Sequence, residues 1–213
     1  MVLIGMYDSP FVRRVAVTLN LLGLPYEHRN WSVGRDFELI REFNPLGRVP
    51  TLVLDDGEAL IESAAILDHL DERAGPERAL LPAAGAERRA ALNIMAIATG
   101  AAEKGALQVY EAAFRPEEKR HEPWVERCAA QMHGALGELE RRARAAGAVW
   151  LVGDRLSQAD VTVTCAFTYL CEAVGAERGS YVYPALAALC AHCEAMPEFR
   201  SVIAPFSAPR QAP

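Results

Sequence analysis

No block of basic residues interrupts this chain of 213 residues. With 22 Lys and Arg against 28 Asp and Glu the net charge is −6, too dispersed and of the wrong sign to neutralise a row of phosphates, so neither nucleic acid nor an anionic membrane is an expected partner. The chain also lacks an uncharged apolar run approaching the ~18 residues that would suggest a membrane span. Its first residues, MVLIGMYDSP, carry neither a basic leader nor a small-residue cleavage pattern. A soluble, cytoplasmic protein is the expectation. Cysteine is absent from the first half. The five that occur, Cys128, Cys165, Cys171, Cys190 and Cys193, form an odd set without the spacing of a disulfide framework, and reduced thiols are expected. The Cys190-Ala-His-Cys193 run sits inside an apolar helical pattern without a second ligand pair, and His28, His69, His121 and His133 are scattered, so no metal site is expected.

What is present changes character along the chain. The run VLIGM, residues 2 to 6, has strand length, and beyond Ser9-Pro10 the residues Phe11, Val12, Val15, Ala16, Leu19 and Leu22 recur at helical spacing until Gly23 and Pro25. A second short strand is expected at YEHRN, residues 26 to 30, and a helix at DFELIREF, residues 36 to 43. TLVL, residues 51 to 54, and EALI, residues 58 to 61, flank Asp56-Gly57, a strong hairpin signal. A third helix follows, with Ser63, Ile66, Leu67, Leu70 and Ala74 on one face and Gly75 at its end. This order packs as a small mixed sheet with helices on its faces. Residues 76 to 86, rich in Pro, Gly and Ala, read as a linker. Beyond them only helices are expected, near residues 86 to 114, 123 to 146, 157 to 174 and 184 to 195.

Three places in the first half combine local structure with usable chemistry. Ser9-Pro10 has the form of a helix cap and first helical residue. Val49-Pro50 opens a strand, where proline serves as punctuation, or as a cis bond that would turn the Val49 backbone outward to pair with an extended peptide. Glu62-Ser63 joins a strand to a helix. Ser63 there is either an N-cap or part of a carboxylate-binding helix start, and Glu62 either a solvated acid or the partner of an amine. In LSQADV, residues 156 to 161, Ser157 and Asp160 stand at capping-box spacing, with Leu156 and Val161 at staple spacing, and both pairs read as structural.

The run SPFVRRV, the loop NPLGRVP and the helix start ESAAIL, in this order before an all-helical second half, resemble the cytosolic glutathione S-transferases, and within them the bacterial and theta-like serine forms. The resemblance implies an α/β plus all-α protein: a thioredoxin-like domain over residues 1–75 that binds glutathione, and a helical-bundle domain over residues 87–213 that helps bind a second substrate. On that mapping Ser9 donates a hydrogen bond to the glutathione sulfur, with Tyr7, near the end of the first strand, as its rival. Val49 pairs with the cysteinyl portion, Glu62 and Ser63 hold the amine and carboxylate of the γ-glutamyl end, and Arg48 is a candidate for the glycine carboxylate. Met95, Leu107, Tyr110 and Phe114 are possible walls of the second-substrate pocket, though apolar residues at helical spacing are more often core.

The implied reaction is attack by bound glutathione, as its thiolate, on a small, largely apolar electrophile. A thiol of pKa ~8.5 is only about 3% ionised at pH 7, and lowering that pKa by two units takes about 2.7 kcal/mol, within reach of one hydrogen bond to a charged sulfur plus a helix N-terminus. Glutathione is thus the expected co-substrate, with no metal, and the family implies a homodimer. Two rivals share the fold: a glutathione-dependent isomerase acting on maleylacetoacetate, whose relatives usually carry a Ser-Ser-Cys-like run where this chain has YDSPFVRR, and a non-catalytic binding module. Glutathione-disulfide exchange is disfavoured, since it needs a cysteine in the first half.

Overall fold

The structure, a computed structural model, describes residues 1–147, 149–177, 179 and 181–209. A four-stranded sheet is built from β1 (Val2–Ile4), β2 (Glu27–Arg29), β3 (Thr51–Val53) and β4 (Ala59–Ile61), in the order β2-β1-β3-β4. β1 runs parallel to β2, with Val2 opposite Glu27, and antiparallel to β3, with Val2 opposite Val53. The Asp56-Gly57 turn delivers the expected hairpin, pairing Thr51 with Ile61, and Gly57 takes φ +94°. Helices α1 (Pro10–Leu21), α2 (Phe37–Arg41) and α3 (Ser63–Ala74) complete this thioredoxin-like half.

The second half is helical: α4 (Gly85–Phe114), α5 (Glu122–Ala146), α6 (Gln158–Val174), α7 (Pro184–Glu194) and α8 (Pro197–Arg200). The charged stretch 115 to 124 is an exposed connection containing one 3-10 turn, Glu117–Lys119, and then the start of α5. Helices α4, α5 and α6 pack on one another around a shared core that includes Ala98, Ala102, Met132, Leu136 and Leu170. At Gly105 a Cβ would stand 2.2 Å from Leu170 Cδ2, so glycine lets α4 and α6 approach.

Helix α1 is buried on both sides. Val12, Val15, Ala16, Val17 and Leu19 are all fully inaccessible, with α3 and β1 on one side and α6 and α8 on the other. The helix consequently carries Arg13 and Arg14 into the seam between the halves, where they are 5% and 3% exposed. Arg13 is neutralised there: Nη1 and Nη2 donate to the two Glu194 carboxylate oxygens at 2.7 and 2.6 Å, and Nε donates to the Val202 carbonyl at 3.2 Å. Such a bidentate pair fixes orientation as well as compensating charge.

The connection between the halves is tied down at both ends. Asp71, in α3, accepts the Leu80 and Leu81 N–H groups at 2.8 and 3.1 Å, Arg155 donates to the Glu77 and Ala79 carbonyls, and the Gln158 N–H donates to the Leu80 carbonyl. The capping box forms as expected: Asp160 accepts the Ser157 N–H and hydroxyl, each at 2.8 Å, and in addition the Leu151 N–H at 2.8 Å. Asp160 is fully buried, so its loss strands the Leu151 and Ser157 donors. Asp160→Ala is therefore expected to lower the unfolding free energy by about 3 kcal/mol. Urea denaturation checks this, and a midpoint equal to that of the native chain would contradict it.

Candidate functional site

Between the two halves lies a cavity of about 570 Å³. One wall comes from the loop and first turn at α1, Met6 and Asp8 to Phe11, and from the loops around α2, with Val33, Phe37 and Leu46 to Val49. The other comes from the C-terminal half of α4 (Glu103, Ala106, Leu107, Val109, Tyr110, Phe114), from Tyr169 of α6, and from Phe206, Ser207 and Pro209. The lining is mainly apolar and aromatic with a few polar groups, the usual make-up of a small-molecule site.

Ser9 occupies the N-cap of α1 with extended backbone, φ −75° and ψ 124°, and Pro10 sets the first turn. Its Oγ accepts the Val12 N–H at 3.5 Å, the outer limit of a hydrogen bond, and among the described residues its own hydrogen has no acceptor. The hydroxyl therefore retains a donor at the positive end of a helix, on the cavity wall. Tyr7 lies three residues beyond the end of β1, not within the strand, and turns away from the cavity. Its ring stacks on His28 with centroids 3.8 Å apart, and its hydroxyl pairs with the Tyr26 hydroxyl at 3.0 Å. Burial raises its pKa above the ordinary phenol value, only partly offset by the Tyr26 hydrogen bond.

The loop before β3 is organised by Asn44, which is 1% exposed: Nδ2 donates to the Arg48 carbonyl at 2.8 Å and Oδ1 accepts the Leu46 N–H at 3.0 Å. Gly47 takes φ +61°, and a Cβ there would fall 2.2 Å from the Phe37 ring. The loop leads into Val49-Pro50, whose peptide bond is cis. Among the described residues neither the N–H nor the carbonyl of Val49 enters a hydrogen bond, which leaves a free backbone donor and acceptor at the cavity edge. Val49 also packs close on Gly5, where φ is +132° and a Cβ would meet the Val49 Cβ at 2.8 Å.

Glu62 and Ser63 do not line the cavity but adjoin it through Arg48, whose Nη1 lies 3.5 Å from Glu62 Oε1 with both side chains about half exposed. Glu62, not Ser63, is the cap residue of α3. Its φ of +65° makes it the one non-glycine residue at positive φ among the described residues, a conformation that costs on the order of 1–3 kcal/mol and concentrates at functional positions. Ser63 is the first helical residue, 4% exposed, and its Oγ accepts a 2.6 Å hydrogen bond from Arg14 Nη2.

The structure thus gathers Ser9, Arg48 and Val49 on one wall, sets Glu62 and Ser63 beside them, and separates Tyr7. Leu107, Tyr110 and Phe114 line the opposite wall, whereas Met95 is buried in the helical core, because the cavity opens only along α4 from Glu103 onward. Sequence reasoning missed Asp8, Asn44 and the C-terminal segment. Asp8 Oδ2 accepts the Ser207 N–H at 2.9 Å, Oδ1 is buried without a partner among the described residues, and burial raises the carboxyl pKa against the Ser207 hydrogen bond. Asn44 had a local signal: Asn before Pro, three residues ahead of a glycine, marks a side-chain-stabilised turn. The cysteines of CAHC are buried free thiols, with burial pushing Cys193 up to about 11.

Residues 3–78 match the family model described as glutathione S-transferase, N-terminal domain, and residues 122–192 the one described as glutathione S-transferase, C-terminal domain. The chain is 32% identical over 175 residues, 80% of its own length and 82% of the relative's, to the uncharacterized GST-like protein YibF of Escherichia coli K12. It belongs to the glutathione S-transferase family. Two solved members of that family superpose closely. A glutathione S-transferase of Methylobacterium radiotolerans in complex with glutathione sulfonate aligns with TM-score 0.86 and 28% identity, covering 100% of this chain and 95% of that one. One from Methylobacillus flagellatus with GSH bound aligns with TM-score 0.86 and 26% identity, covering 96% and 99%.

Because the buried Asn44 side chain holds the loop through two hydrogen bonds, Asn44→Ala is expected to cost about 2–3 kcal/mol of stability. Chemical denaturation reads it, and a change below about 0.5 kcal/mol, ordinary for a surface position, would contradict it.

Proposed function

We propose that the protein is a serine-type glutathione transferase: it binds glutathione from the cavity wall at Ser9 and Val49 to the adjoining Glu62 and Ser63, and activates it as the thiolate for attack on a small, largely apolar electrophile in the cavity. The observation that carries this reading is the Ser9 hydroxyl, a hydrogen-bond donor without an acceptor, set on the cavity wall at the N-terminus of α1. A hydrogen bond to a charged acceptor contributes about 1.5–3 kcal/mol, and the helix end adds to it. Tyr7 has its hydroxyl engaged with Tyr26, which favours Ser9 as the group at the sulfur.

The remaining contacts follow from what each group offers. The free N–H and carbonyl of Val49 pair with the cysteinyl backbone as an added strand would. Glu62, half exposed beside Arg48, takes the γ-glutamyl amine, and Ser63 at the start of α3 takes the neighbouring carboxylate. Arg48, exposed on the rim, meets the glycine carboxylate. The thiolate forms a bond to an electrophilic carbon and the leaving group departs with the electron pair. Phe11, Leu107, Tyr110, Phe114, Tyr169 and Phe206 surround that second substrate with apolar surface. In this reading residues 1–75 supply the glutathione site and residues 87–213 the electrophile wall, in a cytoplasmic homodimer as the family implies.

Steady-state conjugation of glutathione to an activated aryl halide tests the assignment. Ser9→Ala is expected to lower kcat/KM about 10- to 100-fold, the equivalent of one hydrogen bond to the sulfur, while Tyr7→Phe stays within about threefold of native. Undiminished activity in Ser9→Ala would remove Ser9 from the mechanism. Calorimetric titration without detectable glutathione binding to the native protein would remove the transferase reading altogether.

A further inference from the structure

The seam between the halves holds two buried arginines, and among the described residues only one of them is hydrogen-bonded to a carboxylate. Arg13 is paired with Glu194. Among the described residues Arg14, 3% exposed, hydrogen-bonds only neutral groups: Nη2 donates to Ser63 Oγ at 2.6 Å, Nη1 to Thr162 Oγ1 at 3.4 Å, and Nε has no partner. Glu62, next to Ser63 in sequence, carries a carboxylate that is about half exposed and directed to Arg48. A guanidinium withdrawn from water with no carboxylate in hydrogen-bond reach, and with Glu62 acting on it only at longer range, is costly, and natural sequences retain one where something else compensates it.

The direction of the Arg14–Ser63 hydrogen bond has a consequence for binding. Because Ser63 Oγ accepts from the guanidinium, its own hydrogen must point elsewhere, and among the described residues it has no acceptor. The backbone N–H groups of residues 63 to 65, at the first turn of α3, likewise have none. A buried cation, a hydroxyl donor and a helix N-terminus therefore meet at the start of α3, where the next two residues, Ala64 and Ala65, are exposed.

We infer that Arg14 is a positioning residue for an anionic group bound at Ser63: it aims the Ser63 hydroxyl outward and leaves a positive charge that the ligand's carboxylate completes. This rests on the proposed glutathione reading, in which that carboxylate belongs to the γ-glutamyl end. Arg14 acts through Ser63 and never touches the reacting sulfur. Burial holds its pKa down, to about 10, so it remains charged at neutral pH while poorly compensated in the free protein.

The test compares two peptides by calorimetric titration: glutathione, and γ-aminobutyryl-cysteinyl-glycine, which lacks only the γ-glutamyl α-carboxylate. Native protein is expected to prefer glutathione at least tenfold. Arg14→Met is expected to weaken glutathione binding at least tenfold, to leave binding of the truncated peptide within twofold, and so to abolish the preference. Arg14→Lys, which keeps the charge, is expected to retain part of it, and carries the test if Arg14→Met does not fold. An equal loss for both peptides would make Arg14 merely structural and overturn the inference, as would an unchanged preference. Native protein that binds both peptides equally would overturn the inference and leave the glutathione reading standing. Native protein that binds neither overturns both.

Discussion

The burial of α1 on both faces is the constraint from which the rest of the arrangement follows. A helix covered by the sheet and α3 on one side and by α6 and α8 on the other joins two layers of structure into one body, and its N-terminus is fixed relative to both. That end carries Ser9, and the cavity opens where the helix starts. Burial on both sides also forces Arg13 and Arg14 indoors, and the two are handled differently. The first is saturated by Glu194 and the carbonyls of Phe199 and Val202; the second is surrounded by hydroxyls. One arginine locks the halves together, and the other lies buried against Ser63 at the start of α3.

The far wall is completed by the end of the described chain. The Phe206 N–H donates to Glu172 at 3.0 Å, the Ser207 N–H donates to Asp8 at 2.9 Å, and the Phe206 ring meets Tyr169 edge-on. A segment without secondary structure of its own is thus held over the cavity by two carboxylates and an aromatic contact. One of those carboxylates, Asp8, immediately precedes Ser9, so the apolar wall proposed for a second substrate and the hydroxyl proposed for the sulfur are tied to the same two-residue step.

Much of this was legible in the sequence where the rule is local. Ser9-Pro10 before a helical pattern, Asp56-Gly57 between apolar runs, Gly75 after α3 and the Ser157/Asp160 box each fix their own few residues through capping or turn chemistry, and the structure places each as expected. The long helices followed from period alone. What was not legible depends on partners distant in the chain. The direction of Tyr7 is set by Tyr26 and His28, the burial of Arg13 by Glu194, and the role of Asp8 by Ser207. Met95 and Tyr110 belong to the same helix and look equivalent in a helical pattern; the packing of α5 and α6 decides that one is core and the other cavity. At Glu62-Ser63 the sequence marked the junction but not which residue caps it, because the cap is decided by a positive φ that no glycine announces.

The central claim is that the Ser9 hydroxyl stabilises a thiolate on bound glutathione. It is tested most directly by titrating the ultraviolet absorbance of that thiolate against pH in the binary complex of the native protein, Ser9→Ala and Tyr7→Phe. The account requires a bound thiol pKa well below the ~8.5 of a free thiol in the native protein and in Tyr7→Phe, returning toward the free value in Ser9→Ala. A pKa near the free value in the native complex, or a lowered pKa that Tyr7→Phe abolishes and Ser9→Ala preserves, would contradict it.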